Sequence, residues 1–211
     1  MSHRTIRLVG LTVIAVIAVG VGYVAYTVYG VPPLKDEADF FKERPETNAQ
    51  VSQEQFQLTF VDSDGKSVDL IEYRGKKIVM LVFMRGYPGE ICPNCSAQTS
   101  RLIRNHAEFV KRDTEVLMVF PGPKEHLDKL IAAGRARADN AVVPFRILLD
   151  PDFVAVDKLG IRGSLAKPST YILDKQGRVR FAYVGAYTTD RPSVKGMLDQ
   201  IDRLKDERID L

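Results

Sequence analysis

The sequence predicts an α/β domain with a mixed central sheet and helices on both faces, preceded by one N-terminal transmembrane helix. Three observations carry this reading. Lys77-Ile-Val-Met-Leu-Val-Phe-Met84 is a continuous apolar run of strand length, the pattern of a central strand buried on both faces. Strand and helix patterns alternate from residue 55 onward, and the 22 residues from Leu8 to Tyr29 carry no charge.

The N-terminal run comes first. At 1.5 Å rise per residue a helix of this length is roughly 33 Å long, enough to cross a bilayer core. Tyr23, Tyr26 and Tyr29 gather at its far end, where an aromatic belt meets headgroups. A cleaved signal peptide is the competing reading, with Arg4 and Arg7 as its basic start. The run is longer than the usual apolar core of such a peptide, and no convincing small-residue cleavage site follows it. Residues 1–30 therefore read as a tail and anchor, spanning through residues 8–29. A short tail left in the cytoplasm makes a single-pass cell-membrane protein, with the large C-terminal part on the extracytoplasmic, periplasmic side. Gly30-Val-Pro-Pro33 ends the span, because two prolines cannot continue a helix, and the polar stretch across residues 31–54 reads as a linker.

The domain occupies residues 55–211. Phe56 to Phe60 alternates and meets Asp64-Gly65, a hairpin signal. After the Lys77–Met84 strand come a Gly/Pro-rich loop, Arg85 to Ile91, and a helical pattern from Pro93 to Arg112. One broad face of that helix holds Leu102, Ile103, His106, Ala107, Phe109 and Val110. Then follow a strand at Glu115–Phe120, a helix at Lys124–Ala138, a strand at Phe145–Leu149 and a short helix at Phe153–Leu159. Thr170–Leu173 and Val179–Val184 form a hairpin around Asp174-Lys-Gln-Gly177. In the last helix Val194, Met197, Leu198, Ile201 and Leu204 recur at helical spacing.

Charge and cysteine usage exclude several functions. Thirty Lys+Arg against 27 Asp+Glu give a net charge of +3, and Arg4 and Arg7 are the only charged side chains among the first 34 residues. The remainder is almost neutral and holds no Lys/Arg-rich tract, which argues against nucleic-acid binding. Two cysteines, Cys92 and Cys95, cannot make a disulfide scaffold or a four-thiolate zinc site.

Their placement points to chemistry. The pair lies between the central strand and a helix start, where loops of open α/β sheets meet ligands. Pro93 suits the first helical position, since its missing N–H needs no partner there. Cys92 then stands at the N-cap, facing free N–H groups and the positive end of the helix dipole, which favours its thiolate. Cys95, one turn on, is placed to resolve a mixed disulfide, so the pair reads as a dithiol that cycles. A purely stabilising disulfide gains little from so short a loop. No metal is expected: two sulfurs need further ligands, and His106 lies roughly 21 Å of helical rise from Cys92. His126 belongs to another helix and His3 to the far side of the span. No cofactor is implied.

Cys92-Pro-Asn-Cys95 opening a helix after a buried strand, then Lys167-Pro168-Ser169-Thr170 leading into a Gly-turn hairpin, resembles the thioredoxin superfamily. More narrowly, about Gln55 to Leu204 is similar to its redoxin branch, the alkyl hydroperoxide reductase/thiol-specific antioxidant (peroxiredoxin-like) family, with membrane-anchored thiol-disulfide oxidoreductases as relatives. The resemblance implies a thioredoxin-like fold with an N-terminal hairpin and a strand-helix insertion. It also implies Cys92, Cys95 and Pro168 as the catalytic set, with Pro168 as a cis-proline shaping the substrate groove. Tyr87-Pro88-Gly-Glu-Ile-Cys92-Pro-Asn-Cys95 keeps the proline of the peroxiredoxin pattern and puts Cys95 at the peroxidatic position, but Cys92 replaces its Thr/Ser. The family's Arg often stands just before a Ser-Thr strand start, where this chain has Pro168. Pro88, Pro93, Arg85 and Glu90 are candidate supporting residues, the last two as tuners of the dithiol. Asp190-Arg191-Pro192 is similar to another peroxiredoxin pattern, and by its residues reads as a helix start with Ser193 as cap.

The expectation is a membrane-anchored thiol-disulfide oxidoreductase in which Cys92 attacks and Cys95 resolves. The alternative is a thiol peroxidase with Cys95 peroxidatic and Cys92 resolving. A copper-binding thioredoxin-fold module ranks third, since no histidine follows His126. Expected partners are a protein thiol or disulfide, or a small peroxide, and a redox protein that resets the dithiol.

Overall fold

The computed structural model describes residues 40–87 and 89–206. The tail, the span expected over residues 8–29, the first part of the linker and Pro88 lie outside the described residues. Among the described residues no helix is long and apolar enough to cross a membrane.

The element order is β1 (Thr59–Asp62), β2 (Ser67–Asp69), β3 (Ile78–Phe83), α1 (Pro93–Val110), β4 (Thr114–Phe120), α2 (Lys124–Ala136), β5 (Arg146–Leu149), α3 (Val154–Lys158), β6 (Ser169–Leu173), β7 (Val179–Val184) and α4 (Val194–Asp206). One seven-stranded sheet runs β2-β1-β5-β4-β3-β6-β7. β3, β4 and β5 pair in parallel, while β6 adds antiparallel to β3, β7 to β6, β1 to β5 and β2 to β1. The mixed sheet and the strand-helix alternation match the expected class.

β3 is buried along its whole length because each of its faces meets a separate core. Ile78, Met80 and Val82 join Leu102 and Phe109 of α1, Leu127 and Leu130 of α2, and Met197 and Ile201 of α4. Val79, Leu81 and Phe83 face the other way, toward Phe56, Phe60, Tyr171 and Val156 of α3. This period-two division is what an unbroken apolar strand requires.

Two expectations shift. Phe56 is not in a strand: a single 3-10 turn covers Gln53–Phe56, begun by a capping box in which the Ser52 N–H donates to the Gln55 side chain, and β1 starts at Thr59. Phe56 instead meets Tyr171 edge-on, with ring centroids 5.0 Å apart. On α1 the apolar stripe is narrower than its pattern. Leu102, Ile103 and Phe109 are buried, whereas Ala107 at the stripe's edge and Val110 in the final turn are exposed.

The described part of the segment read as a linker is packed onto the domain. Phe41 is buried, and Asn48 exchanges hydrogen bonds with the backbone of Val184 and donates its own N–H to Ala182 on β7. It thereby covers the outer edge of the sheet.

Candidate active site

The dithiol is positioned by the end of β3. The chain leaves the sheet after Met84, whose N–H donates to Val119 on β4 at 2.9 Å. Gly86 follows at φ +97°, and a Cβ there would sit 2.4 Å from the Pro121 carbonyl oxygen, so only glycine lets the loop pass. The chain re-enters regular structure at Cys92, the N-cap of α1, with Pro93 in the first helical turn as expected. The Cys92 carbonyl accepts the N–H groups of Cys95 and Ser96, each at 3.1 Å. Both cysteines are free thiols, and Cys92 carries most of what little surface the pair presents, 7% against 1%.

What surrounds the sulfurs distinguishes them. Arg191, only 1% exposed, lies in the loop between β7 and α4 and brings Nη2 to 3.2 Å from Cys95 Sγ. Its Nε donates to the Thr188 carbonyl at 2.7 Å, and its Nη1 donates to the buried Gln98 side chain one turn along α1. The fork is thus fixed on two sides. The Cys92 thiol donates to Cys95, which chiefly pulls the Cys95 thiol down to about 5. Burial opposes this, and the Arg191 charge and the Arg85 backbone N–H add to it. Cys92 is pushed up, first by that same hydrogen bond and then by burial.

These shifts favour the thiolate at Cys95 rather than at Cys92, where the helix start alone places it. Both sulfurs lie within the first turn and share its positive end. The Cys92 thiol donates to Cys95, and the guanidinium and the Arg85 N–H reach the same sulfur, so together they favour Cys95.

The other expected residues fall as follows. Arg85 acts at the site through its backbone, its N–H toward Cys95 and its carbonyl accepting Ala166 N–H at 3.2 Å. Glu90 is exposed on the loop. Pro88 lies outside the described residues. Pro168 is buried beside Gly185, whose N–H donates to its carbonyl at 2.8 Å. There is no cis peptide bond among the described residues, so Pro168 is not the cis-proline that the resemblance implies. It leads straight into β6, a strand-start position where a missing N–H is tolerated. His126 stacks on Tyr87 of the loop at 4.2 Å, and His106 is half-buried near Phe145, its pKa lowered by burial.

Arg191 and Gln98 are the residues that reading the sequence as local elements misses. Asp190-Arg191-Pro192 does precede a helix capped by Ser193, whose hydroxyl accepts Gly196 N–H at 3.1 Å. The signal lay in the same tripeptide's similarity to a peroxiredoxin pattern, which outranks the absence of Arg before Ser169.

The candidate site is thus a buried pair of cysteines at a helix start, with a buried arginine against the second sulfur, on a thioredoxin-like sheet. Residues 50–182 match the AhpC/TSA family, and the chain belongs to that family. Among curated relatives, a chloroplastic peroxiredoxin Q of Gentiana triflora is 28% identical over 64% of this chain, which spans 59% of that protein's length. A thiol-disulfide oxidoreductase ResA of Halalkalibacterium halodurans is 22% identical over 84% of this chain and 86% of its own. The fold is also that of a Plasmodium vivax 2-Cys peroxiredoxin, with a TM-score of 0.60 and 20% identity over 71% of this chain and 78% of that one. A peroxiredoxin 6 of Arenicola marina gives 0.64, with 16% identity over 74% of each chain.

Proposed function

We propose that the protein is a thiol peroxidase in which Cys95 is the peroxidatic and Cys92 the resolving cysteine. The observation that carries this is the Arg191 guanidinium against the Cys95 sulfur at 3.2 Å. The Cys95 thiolate attacks the terminal oxygen of a hydroperoxide, ROOH. The O–O bond breaks, Cys95 becomes a sulfenic acid, and the alkoxide leaves as ROH with the proton of Cys92. Arg191 stabilises the charge that builds on the peroxide oxygens. The Cys92 thiolate so formed attacks the sulfenic sulfur and expels hydroxide, which leaves the Cys92–Cys95 disulfide. Two thiols of an external redox protein reduce that disulfide and restore the dithiol.

Peroxide consumption by the reduced full chain tests this in stopped flow. Cys95→Ser abolishes the reaction, and Cys92→Ser completes one turnover and accumulates sulfenic acid. Normal peroxide reduction by Cys95→Ser sinks the proposal.

Thiol-disulfide exchange is the second reading, favoured by the greater exposure of Cys92 and by the ResA-like relative. It requires Cys92→Ser to trap less mixed disulfide from a protein substrate than Cys95→Ser does. We also propose that residues 8–29 anchor the domain in the cell membrane with the dithiol on the extracytoplasmic side; the uncharged run supports this.

A further inference from the structure

The loop that carries Arg191 is gripped from outside by one residue of the segment preceding the domain. The Lys42 N–H donates to the Arg191 carbonyl at 2.7 Å, and the Lys42 carbonyl accepts the Ser193 N–H at 2.8 Å. The two bonds bracket Pro192 as a parallel bridge. The Lys42 ammonium stands 2.9 Å from the carboxylate of Asp190, which is 6% exposed, and 5.0 Å from the centre of the Tyr183 ring. That carboxylate also accepts the Tyr183 hydroxyl and the Ala186 N–H. Burial pushes Asp190 up, and these three donors together hold it below the usual carboxylate range.

The neighbouring chain is fixed too. The Gln200 side chain donates to the Pro45 carbonyl at 2.7 Å, and a Cβ on Gly196 would lie 2.5 Å from the Pro45 ring. Residues 42–48 are thus seated along α4 and β7, and Lys42 is the point where they meet the arginine loop.

From this contact we infer that Lys42 is a positioning residue for Arg191: its ammonium, paired with Asp190 beside the two main-chain bonds, holds the loop so that the guanidinium is aimed at Cys95. The inference rests on the proposed role of Arg191 and assigns part of the redox site to a segment outside the sheet. An arginine fork held at both its backbone and its guanidinium loses alignment when the backbone anchor slackens, and small misplacements of a stabilising group are costly in rate.

The test uses the full reduced chain, with the Cys95 thiolate followed by its ultraviolet absorbance against pH and peroxide consumption followed by stopped flow. The Lys42 side chain is half-exposed, so Lys42→Met opens no cavity. Lys42→Met is expected to raise the thiolate midpoint by about one pH unit and slow peroxide reduction about tenfold. Lys42→Arg is expected to restore both to within twofold. Lys195→Met removes a comparable exposed charge, one paired with Asp199 on α4, and is expected to leave both unchanged. A merely structural role lowers the melting temperature of Lys42→Met and leaves its midpoint in place, and that result overturns the inference. Equal shifts in Lys195→Met and Lys42→Met overturn it as well. Absence of a low midpoint in the unaltered protein removes the reading of Arg191 itself, a separate outcome.

Discussion

Replacing Arg191 by methionine keeps bulk in the loop and removes a side-chain cation that touches the Cys95 sulfur. At 3.2 Å and an effective dielectric of 20 the bare attraction is on the order of 5 kcal/mol. That attraction is shared over a delocalised fork and offset by the desolvation of Arg191, which is almost fully buried. An opposite charge at this range lowers a pKa by about 1–3. The midpoint is therefore expected to climb from about 5 to about 7, halving the thiolate present at neutral pH. Peroxide reduction is expected to fall further, about 100-fold, because the charge on the leaving oxygen also loses its partner. The variant leaves the buried Gln98 side chain without its Arg191 donor, costing about 1–3 kcal/mol, while the half-exposed Thr188 carbonyl can turn to water. Urea unfolding should therefore accompany the thiolate titration, so that rates refer to folded protein. Arg191→Lys keeps the charge without the fork and is expected to lie between. A folded Arg191→Met protein whose thiolate still titrates near 5 would refute the electrostatic account.

Three further outcomes follow from the same geometry. Cys92→Ala removes the largest influence that lowers Cys95 and is expected to raise the thiolate midpoint, whereas Cys92→Ser keeps a donor and is expected to hold it low; equal midpoints in the two variants would contradict the hydrogen bond. Because folding lowers the Cys95 pKa from 9.0 to about 5, its contribution to stability is absent below pH 5, grows between pH 5 and 9 and is complete above. Cys92, shifted upward, contributes below pH 9 and loses that contribution above it, so the reduced protein should gain stability from pH 5 to 8 while the oxidised one does not, as measured by urea midpoints. Gly134→Ala on α2 drives a methyl to 2.7 Å from Thr99 Cγ2 on α1 and is expected to cost about 1–3 kcal/mol despite better helix propensity, with Thr99→Ser recovering part of it.

The parts of the fold legible in the sequence are those with a strong local period. Lys77–Met84 reads as a central strand because both of its faces are covered, and Cys92 and Pro93 read as a helix start because the proline fits no later position. Phe56 misleads because alternation over five residues cannot separate a strand from a 3-10 turn that points one ring inward. At the site, the dithiol is legible and its polarity is not. The spacing of the two cysteines says that they can bond to each other, but nothing local says which sulfur ionises. That depends on Arg191, 96 positions downstream, and in our inference on Lys42, which lies before the first strand.

The helix dipole illustrates why. A charge near a helix N-terminus gains about 0.3–1 kcal/mol, and both sulfurs lie within its reach, so the dipole lowers both without ranking them. A buried guanidinium in contact with one sulfur outweighs that difference. Once Cys95 holds the negative charge, a second thiolate at Cys92 faces repulsion from its neighbour and Cys92 stays protonated as the donor. The same asymmetry arranges the proposed chemistry, since the buried, anionic sulfur meets the peroxide while the more exposed, protonated one supplies a proton and then the resolving bond. Moving the arginine to the Cys92 side of the turn would leave the sequence Cys-Pro-Asn-Cys intact and invert the roles. In the proposed mechanism the loop between β7 and α4, and the lysine that anchors it, thus favour Cys95 as the sulfur that reacts first.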